Sequence, residues 1–249
     1  DVSASINYDN NKHRGTENRQ TLFMQSIFYN NYDINSSFSN LNFQLGTTYS
    51  IKDFRNGTYK LSLSYDQKHH LEQDTRFDIN LLARDEQNSY NLKQTNRFAK
   101  AAFSYTYEKW SDESNTSFVL SLPLRFANQC FVYSKDHTDT SSIRNYWLFE
   151  PSLSFSYGKK RRTIDFKINY ESILPDALML VNTANTTNTL HWYVGNQHLK
   201  NEKILSNSIF YLDNSHKTRQ HILKAKWNWY QDKITQSYSY NTKTGRFVH

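Results

Sequence analysis

Residues 118–126 read Phe-Val-Leu-Ser-Leu-Pro-Leu-Arg-Phe. Every second position, Phe118, Leu120, Leu122, Leu124 and Phe126, is large and apolar, which is the period of a strand with one apolar face. The same period recurs at Leu41, Phe43, Leu45, Thr47, Tyr49 and Ile51, and at Tyr59, Leu61, Leu63 and Tyr65. Phe149, Pro151, Leu153, Phe155 and Tyr157 repeat it, followed by Ile164, Phe166, Ile168 and Tyr170. Read from end to end, the alternation predicts about ten strands, at 2–8, 21–29, 40–52, 58–68, 97–109, 116–127, 145–158, 162–172, 202–213 and 219–230, with no helix among them. Their lengths include the ~10 residues with which a tilted strand crosses a bilayer.

Composition narrows the classes further. The 249 residues are 37% hydrophobic, 16% aromatic and 21% charged, with 18 Tyr, 16 Phe and 5 Trp but only 6 Gly and 3 Pro. No window approaches the roughly 18 consecutive apolar residues of a membrane helix. So many large aromatics exclude a disordered chain. The apolar residues are thinly and regularly spread among Asn, Ser, Thr and Lys, as in all-β structure rather than around a large aliphatic core. The net charge of +7 is dispersed, its densest run being Lys159, Lys160, Arg161 and Arg162. A single Cys130 provides neither an internal disulfide nor a cysteine zinc site.

The connections between these strands fall into two series. Those at 53–57, 110–115, 159–161 and 214–218 are short, and the first contains the hairpin dipeptide Asn56-Gly57. Those at 30–39, 69–96, 128–144 and 173–201 are long and polar, and only 9–20 breaks the alternation. An antiparallel meander with tight turns at one end and long loops at the other is the layout of an outer-membrane barrel. Aromatics near predicted strand ends, such as Tyr49, Tyr65, Tyr105, Tyr107, Trp110, Tyr157, Tyr170, Trp227 and Trp229, stand where interfacial girdles fall. The expected class is therefore an all-β, antiparallel up-and-down meander forming part of a transmembrane β-barrel. The alternative is a soluble or small closed β-barrel that binds glycan or single-stranded nucleic acid through its basic and aromatic surface.

Residues 195–202 read Gly-Asn-Gln-His-Leu-Lys-Asn-Glu, followed by a strand, a short turn and a further strand ending Trp-Asn-Trp-Tyr-Gln-Asp-Lys-Ile at Ile234. This order resembles the signature of TonB-dependent outer-membrane receptors, and the Asn, Tyr and Lys bias of the strands is similar to outer-membrane barrels of Bacteroidota. The matching positions are Gly195, Asn196, Leu199, Lys200 and Glu202, then Tyr230 and Ile234. Gln197 and Asn201 stand where that family carries proline. The resemblance implies a position at the outer rim and a role in nutrient uptake for a glycan, siderophore or peptide. It also implies partners: outer-membrane lipid, a plug domain and the remaining strands of a longer parent, a TonB-type energy transducer acting through the plug, and a surface lipoprotein. About ten strands and no plug correspond to a segment of such a barrel, incomplete at both ends. The implied location is the bacterial outer membrane, and nucleic acid is not among the implied partners.

No enzyme motif is present: no GxSxG, P-loop or HExxH. The expectation is a non-enzyme with no catalytic, cofactor or metal residues. Four stretches qualify as sites on composition alone. His69, His70, Glu72 and Asp74 offer metal-ligand types within a predicted loop, against the ordinary reading of a polar loop. Leu190 to Val194 offers aromatic faces for a sugar, against loop packing. Lys159 to Arg162 offers phosphate contacts, against a turn near head groups. The apolar loop stretch 173–181 offers a contact for a lipoprotein or plug, against local packing.

Overall fold

The computed structural model describes residues 1–249 apart from 24–25, 54–55, 87, 137, 183, 186–190, 216–218, 236, 238, 242–245 and 249; side chains at 19–23, 26–30, 184–185, 191–193, 240–241 and 246–248 are also left aside. Strand β1 spans Val2–Phe23, β2 Ser26–Lys52, β3 Gly57–Asp78, β4 Ala83–Arg84 and β5 Tyr90–Trp110. These are followed by β6 Ser114–Lys135, β7 Thr138–Phe149, β8 Ser152–Lys159 and β9 Arg162–Ile173. One helical turn, α1, covers Ala177–Leu180. The chain continues through β10 Ala184–Asn185, β11 His191–Val194, β12 Glu202–Asp213, β13 His221–Gln231, β14 Ser239–Asn241 and β15 Arg246–Val248.

The strands form one eleven-stranded antiparallel sheet in the order β1-β2-β3-β5-β6-β8-β9-β12-β13, with β4 added to β3 and β7 to β6. A small second sheet holds β10, β11, β15 and β14. The fold is all-β and up-and-down. Strands β7 and β8 lie in line along β6: Phe149 faces Leu124 and Ser152 faces Ser121. Pro151, which has no N–H to donate, interrupts them. The break is bridged by Glu150 N to Pro123 O at 3.1 Å and Tyr170 N to Pro151 O at 3.0 Å.

Two expectations near the N-terminus are corrected. Segments 9–20 and 30–39 are strand, not loop: Asp9 pairs with Asn40 and Gln20 with Tyr29, in one hairpin paired as far as Phe23 with Ser26. The predicted strand 21–29 therefore straddles the tip of that hairpin. Much of the predicted loops 69–96 and 128–144 is likewise paired, since β3 runs on to Asp78 and β6 to Lys135. These extensions are held by backbone pairing, which does not depend on the side chains, so polar residues on both faces do not prevent it. With 9–20 and 30–39 counted as strand, the expected sorting of short and long connections by end is corrected: 24–25 and 136–137, two residues each, share an end with the long 79–89 and 174–201. The connections 53–56, 111–113, 160–161 and 214–220 lie at one end, and 24–25, 79–89, 136–137 and 174–201 at the other.

Register fixes which residues share a face, because side chains alternate along each strand. Leu45, Tyr65, Ala99, Phe126 and Trp147 lie in one row across β2, β3, β5, β6 and β7. Thr47, Leu63, Ala101, Leu124 and Phe149 form the next row. The row beyond holds Tyr49, Leu61, Phe103 and Leu122. The belt continues to both ends of the path through Ile6 and Tyr8 on β1, and through Leu205, Ile209, Trp227 and Trp229 on β12 and β13. Its residues are exposed, for example Leu63 at 50% and Trp147 at 71%. The opposite face carries Ser62, Ser64, Asp66, Lys100, Ser121, Arg125, Ser154 and Lys167. A packed apolar cluster lies on that polar face at its long-connection end, where Leu92, Phe131, Tyr133, Ala177, Leu180 and Val181 meet.

Candidate functional site

The polar face and the loop that folds against it form the candidate site. After β9 the chain passes Pro175 into α1, capped by Asp176, whose side chain accepts from Leu178 N. Ala177, Leu180 and Val181 then pack on Leu92, Phe131 and Tyr133, with Tyr90 and Leu199 at the margin of the cluster. Gln129 anchors the entry, its Nε2 donating to Pro175 O at 3.0 Å from a buried position. The apolar stretch 173–181 is thus local packing. Within it Ala177, Leu180 and Val181 are buried, whereas Ile173, Leu178 and Met179 stay exposed.

The signature residues fasten the return of this loop. Gly195 N donates to Val181 O at 3.1 Å and Asn196 N to Met179 O at 2.7 Å. A Cβ on residue 195 would collide with the carbonyl oxygens of Val181, Met179 and Leu178, so the close backbone approach requires glycine. Asn196 closes a turn by accepting from His198 N through Oδ1 at 2.8 Å. Leu199 joins the margin of the apolar cluster, and Arg144 on β7 donates to the carbonyls of Leu199, at 2.9 Å, and of Gln197. Glu202 accepts from Ile234 N at 3.0 Å through Oε2, tying the two ends of the matched segment together. Lys200 is exposed and joins none of these contacts.

Beside the loop, β2, β3 and β5 carry a charged array on the polar face. Tyr90 donates its hydroxyl to Glu72 Oε1 at 2.6 Å, and His70 lies 3.2 Å from Glu72 Oε2 and 2.6 Å from Asn40 Oδ1. Arg76 spans Glu17 at 3.0 Å and Asp74 at 3.4 Å. Burial, reinforced by Glu72, raises the Tyr90 hydroxyl far above its usual range. Burial and then Asp85 push Tyr32 up to about 12. Burial raises Asp74 as well, against the lowering effect of Arg76. These tyrosines therefore remain donors at any physiological pH.

Further along, where β7 gives way to β8, a concavity of about 630 Å³ opens on the polar face between Phe98, Lys100, Arg125, Glu150 and Glu171. Arg125 donates to Glu150 Oε1 at 2.7 Å and to Ser172 O at 3.3 Å, and its guanidinium lies 5.5 Å from the Phe98 ring centre. The reading from composition missed Arg125, Glu150, Arg144 and Arg76. A signal existed for Arg125: a charge flanked by Leu124 and Phe126 must point away from the apolar face. Chemically, this wall offers hydrogen bonds and both signs of charge to a polar solute.

The other sequence candidates disperse. His69 lies on the apolar face of β3 and His70, Glu72 and Asp74 on the polar face, so the four do not converge; they are strand, not loop. Among the described residues no group of three or more His, Cys, Asp or Glu is placed to hold a metal ion. His191–Val194 is strand β11, paired with β10 and β15, and its aromatic side chains at 191–193 lie outside the described ones, as does Leu190. Lys159 to Arg162 is the β8–β9 turn, with Lys160 at φ 55° and Arg162 bonded to Asp213 at 3.0 Å. Tyr230 is in β13 facing Ile204. No protein-family model and no curated protein matches this chain.

Proposed function

We propose that the chain is part of the wall of an outer-membrane β-barrel of the TonB-dependent receptor type, which takes up a bulky nutrient such as a glycan, siderophore or peptide. One observation carries the reading: a continuous belt of exposed Leu, Ile, Phe, Tyr and Trp across every strand of the nine-strand path, opposite a face of Ser, Asn, Lys and carboxylates. A soluble protein rarely exposes a contiguous apolar patch above a few hundred Å². On β6 the belt runs from Phe118 to Phe126, eight steps of about 3.3 Å, close to the ~25 Å apolar band of such barrels. Each Leu- or Phe-sized side chain in lipid rather than water contributes roughly 1.5–3 kcal/mol.

On this reading the barrel performs no chemistry. Solute meets the polar face at the long-connection end, where the 174–200 loop and the Arg76 and Arg125 groups narrow the passage. The resemblance of residues 195–202 supports a cell-surface position for that end and implies the partners: a plug, a TonB-type transducer pulling on it, and a surface lipoprotein docking on the outer loops. The outer strands β1 and β13 end the path. Their free edges suit further strands of a parent barrel, because an unpaired backbone group in hydrocarbon costs several kcal/mol.

Thiol labelling tests both membrane and sidedness. In cells displaying the chain in their outer membrane, with Cys130 replaced, a cysteine at Leu81 should react with an impermeant reagent on intact cells. One at Asp112 should react only after the outer membrane is breached. A chain that is instead a monodisperse, cooperatively folding monomer in plain buffer contradicts the proposal.

A further inference from the structure

We infer that the apolar face carries a binding site for one membrane lipid with a phosphate headgroup, its acyl chain in the groove along Ala99 and Ala101 and its phosphate on Arg97. The inference rests on the reading of this face as lipid-facing and adds a specific site to it.

The groove follows from the rows across the sheet. On either side of β5 the belt is built of large side chains, Leu63 and Tyr65 on β3, Leu124 and Phe126 on β6. On β5 itself the same rows hold only Ala101 and Ala99. With strands about 4.8 Å apart, the walls on β3 and β6 stand about 10 Å from one another. Trp147 extends one wall, against Phe126 at a ring-centre distance of 5.0 Å, and Leu45 extends the other. The enclosed apolar trough measures about 500 Å³ and opens away from the sheet. Phe103 is the next residue on the same face of β5.

The upper end is cationic. Arg97 is the next residue of this face beyond Ala99, opposite Gln67 on one side and Asn128 on the other. It is exposed, and its polar contact is a 3.3 Å bond to Asn128 Oδ1, with no carboxylate partner among the described residues. Lys93 lies four residues further along the same face. On this face β3, β5 and β6 carry no Asp or Glu at all; the carboxylates of β3 and β5, Asp66, Glu72, Asp74, Asp78 and Glu108, are all on the opposite face. An apolar trough ending at an unneutralised guanidinium with amides on either side matches an acyl chain with an anionic head, and a guanidinium binds phosphate oxygens in a fork. A zwitterionic lipid gains less, since its own ammonium competes for the phosphate.

The test uses the full chain refolded into phosphatidylcholine vesicles, with Trp147 or Trp227 as sole tryptophan and the others changed to Phe. Trp147 borders the trough, whereas Trp227 is on β13, remote from it along the sheet. Brominated-chain phosphatidylglycerol should half-quench Trp147 at a mole fraction at least three-fold lower than brominated phosphatidylcholine does, with no such difference at Trp227. Arg97→Gln should remove the difference, and so should Ala101→Phe, which fills the trough. Equal quenching of Trp147 by both lipids overturns the site. An equal preference at Trp227, or one that survives both variants, assigns it to diffuse attraction by net positive charge and overturns the site too. Protection of Trp147 that grows with protein-to-lipid ratio assigns the trough to a second copy of the chain. If neither tryptophan is quenched by either lipid, the membrane reading itself fails, an outcome distinct from loss of the site alone.

Discussion

The amide of Gly195 lies 3.1 Å from the carbonyl oxygen of Val181, with no room between them for a side chain. That contact makes the turn of α1 and the segment 195–202 one unit, laid on Leu92, Phe131 and Tyr133 at the end of the polar face. Gly195→Ala forces the two backbones apart. The expected cost is about 1–3 kcal/mol, typical of an overpacked site, and it should be local: hydrogen exchange at 174–200 speeds up while the β3 and β5 amides below Asp66 and Phe98 keep their protection. Uniform loss of protection across the sheet would instead make this loop part of the global folding unit.

Arg125 and Glu150 form a largely enclosed ion pair, with side chains 25% and 16% exposed, and Glu150 also accepts from Ser172 N at 3.2 Å. Glu150 therefore joins the broken line of β7 and β8 to the end of β9. Glu150→Ala removes the carboxylate partner of the guanidinium, which keeps its bond to Ser172 O, and leaves the Ser172 amide without its acceptor, at an expected cost of about 2 kcal/mol. Adding Arg125→Met should recover a substantial part of it in a urea titration of the refolded protein. Additive losses in the double variant would mean that the two groups act independently.

The two faces differ in what they tolerate. Arg at Leu63, in the belt between Tyr65 and Leu61, should destabilise the membrane-inserted protein by about 2–4 kcal/mol if it meets the bilayer midplane. Arg at Ser62 points to the wet face and should cost much less. Unfolding titrations in lipid vesicles compare the two directly, and equal penalties would reverse the face assignment.

Asp213 gives stability a specific acid limb. It accepts from Ser215 N at 2.8 Å, lies 3.0 Å from Arg162 Nε, and bonds to Tyr211 at 3.3 Å. The Ser215 bonds and then Arg162 hold its carboxyl at about 2, below the ordinary 3.8. Above pH 4 the unfolded and folded chains are both ionised there and the contribution is complete. Between pH 4 and pH 2 the unfolded chain takes up its proton first, so stability falls. Asp213→Asn should flatten this limb. Asp74, raised by burial, works in the opposite sense, because its folded form holds the proton more tightly. Below the ordinary carboxylate value both states hold this proton, so Asp74 acts at higher pH than Asp213, and Asp74→Asn should remove a gain in stability that the protein makes as pH falls from 6 toward 4. Midpoints of urea unfolding at pH 6, 4 and 2.5 read both effects, and a profile unchanged in both variants contradicts the assignment.

The belt was legible because period two can be seen only where the two faces differ, as in Leu61-Ser62-Leu63-Ser64-Tyr65. The tight turns followed from the same contrast and from Asn56-Gly57, with Asn56 at φ 62°. The extension of β1 and β2 past the belt was not legible. Asp9-Asn10-Asn11-Lys12-His13 pairs with residues 36–40 through the backbone, and a stretch polar on both faces shows no period. The β7–β8 break was missed: the predicted strand 145–158 runs through Pro151, and the bridging bonds to Pro123 and Tyr170 depend on register. The loop cluster depended on contacts spanning some fifty residues, such as Arg144 with Leu199, which no local pattern encodes.

The account stands or falls on the alternation of lipid and water along a belt strand. A nitroxide carried in turn on each residue from Tyr59 to Asp66, in a Cys130→Ser background refolded into lipid vesicles, reads it by collision with oxygen, which concentrates in lipid, and with a water-soluble nickel complex. Oxygen accessibility should peak at 59, 61, 63 and 65 and nickel accessibility at 60, 62, 64 and 66, with the oxygen maximum near 61–63. Equal nickel access at odd and even positions, or oxygen maxima at the even ones, would contradict a sheet whose Leu and Tyr face is turned to the membrane.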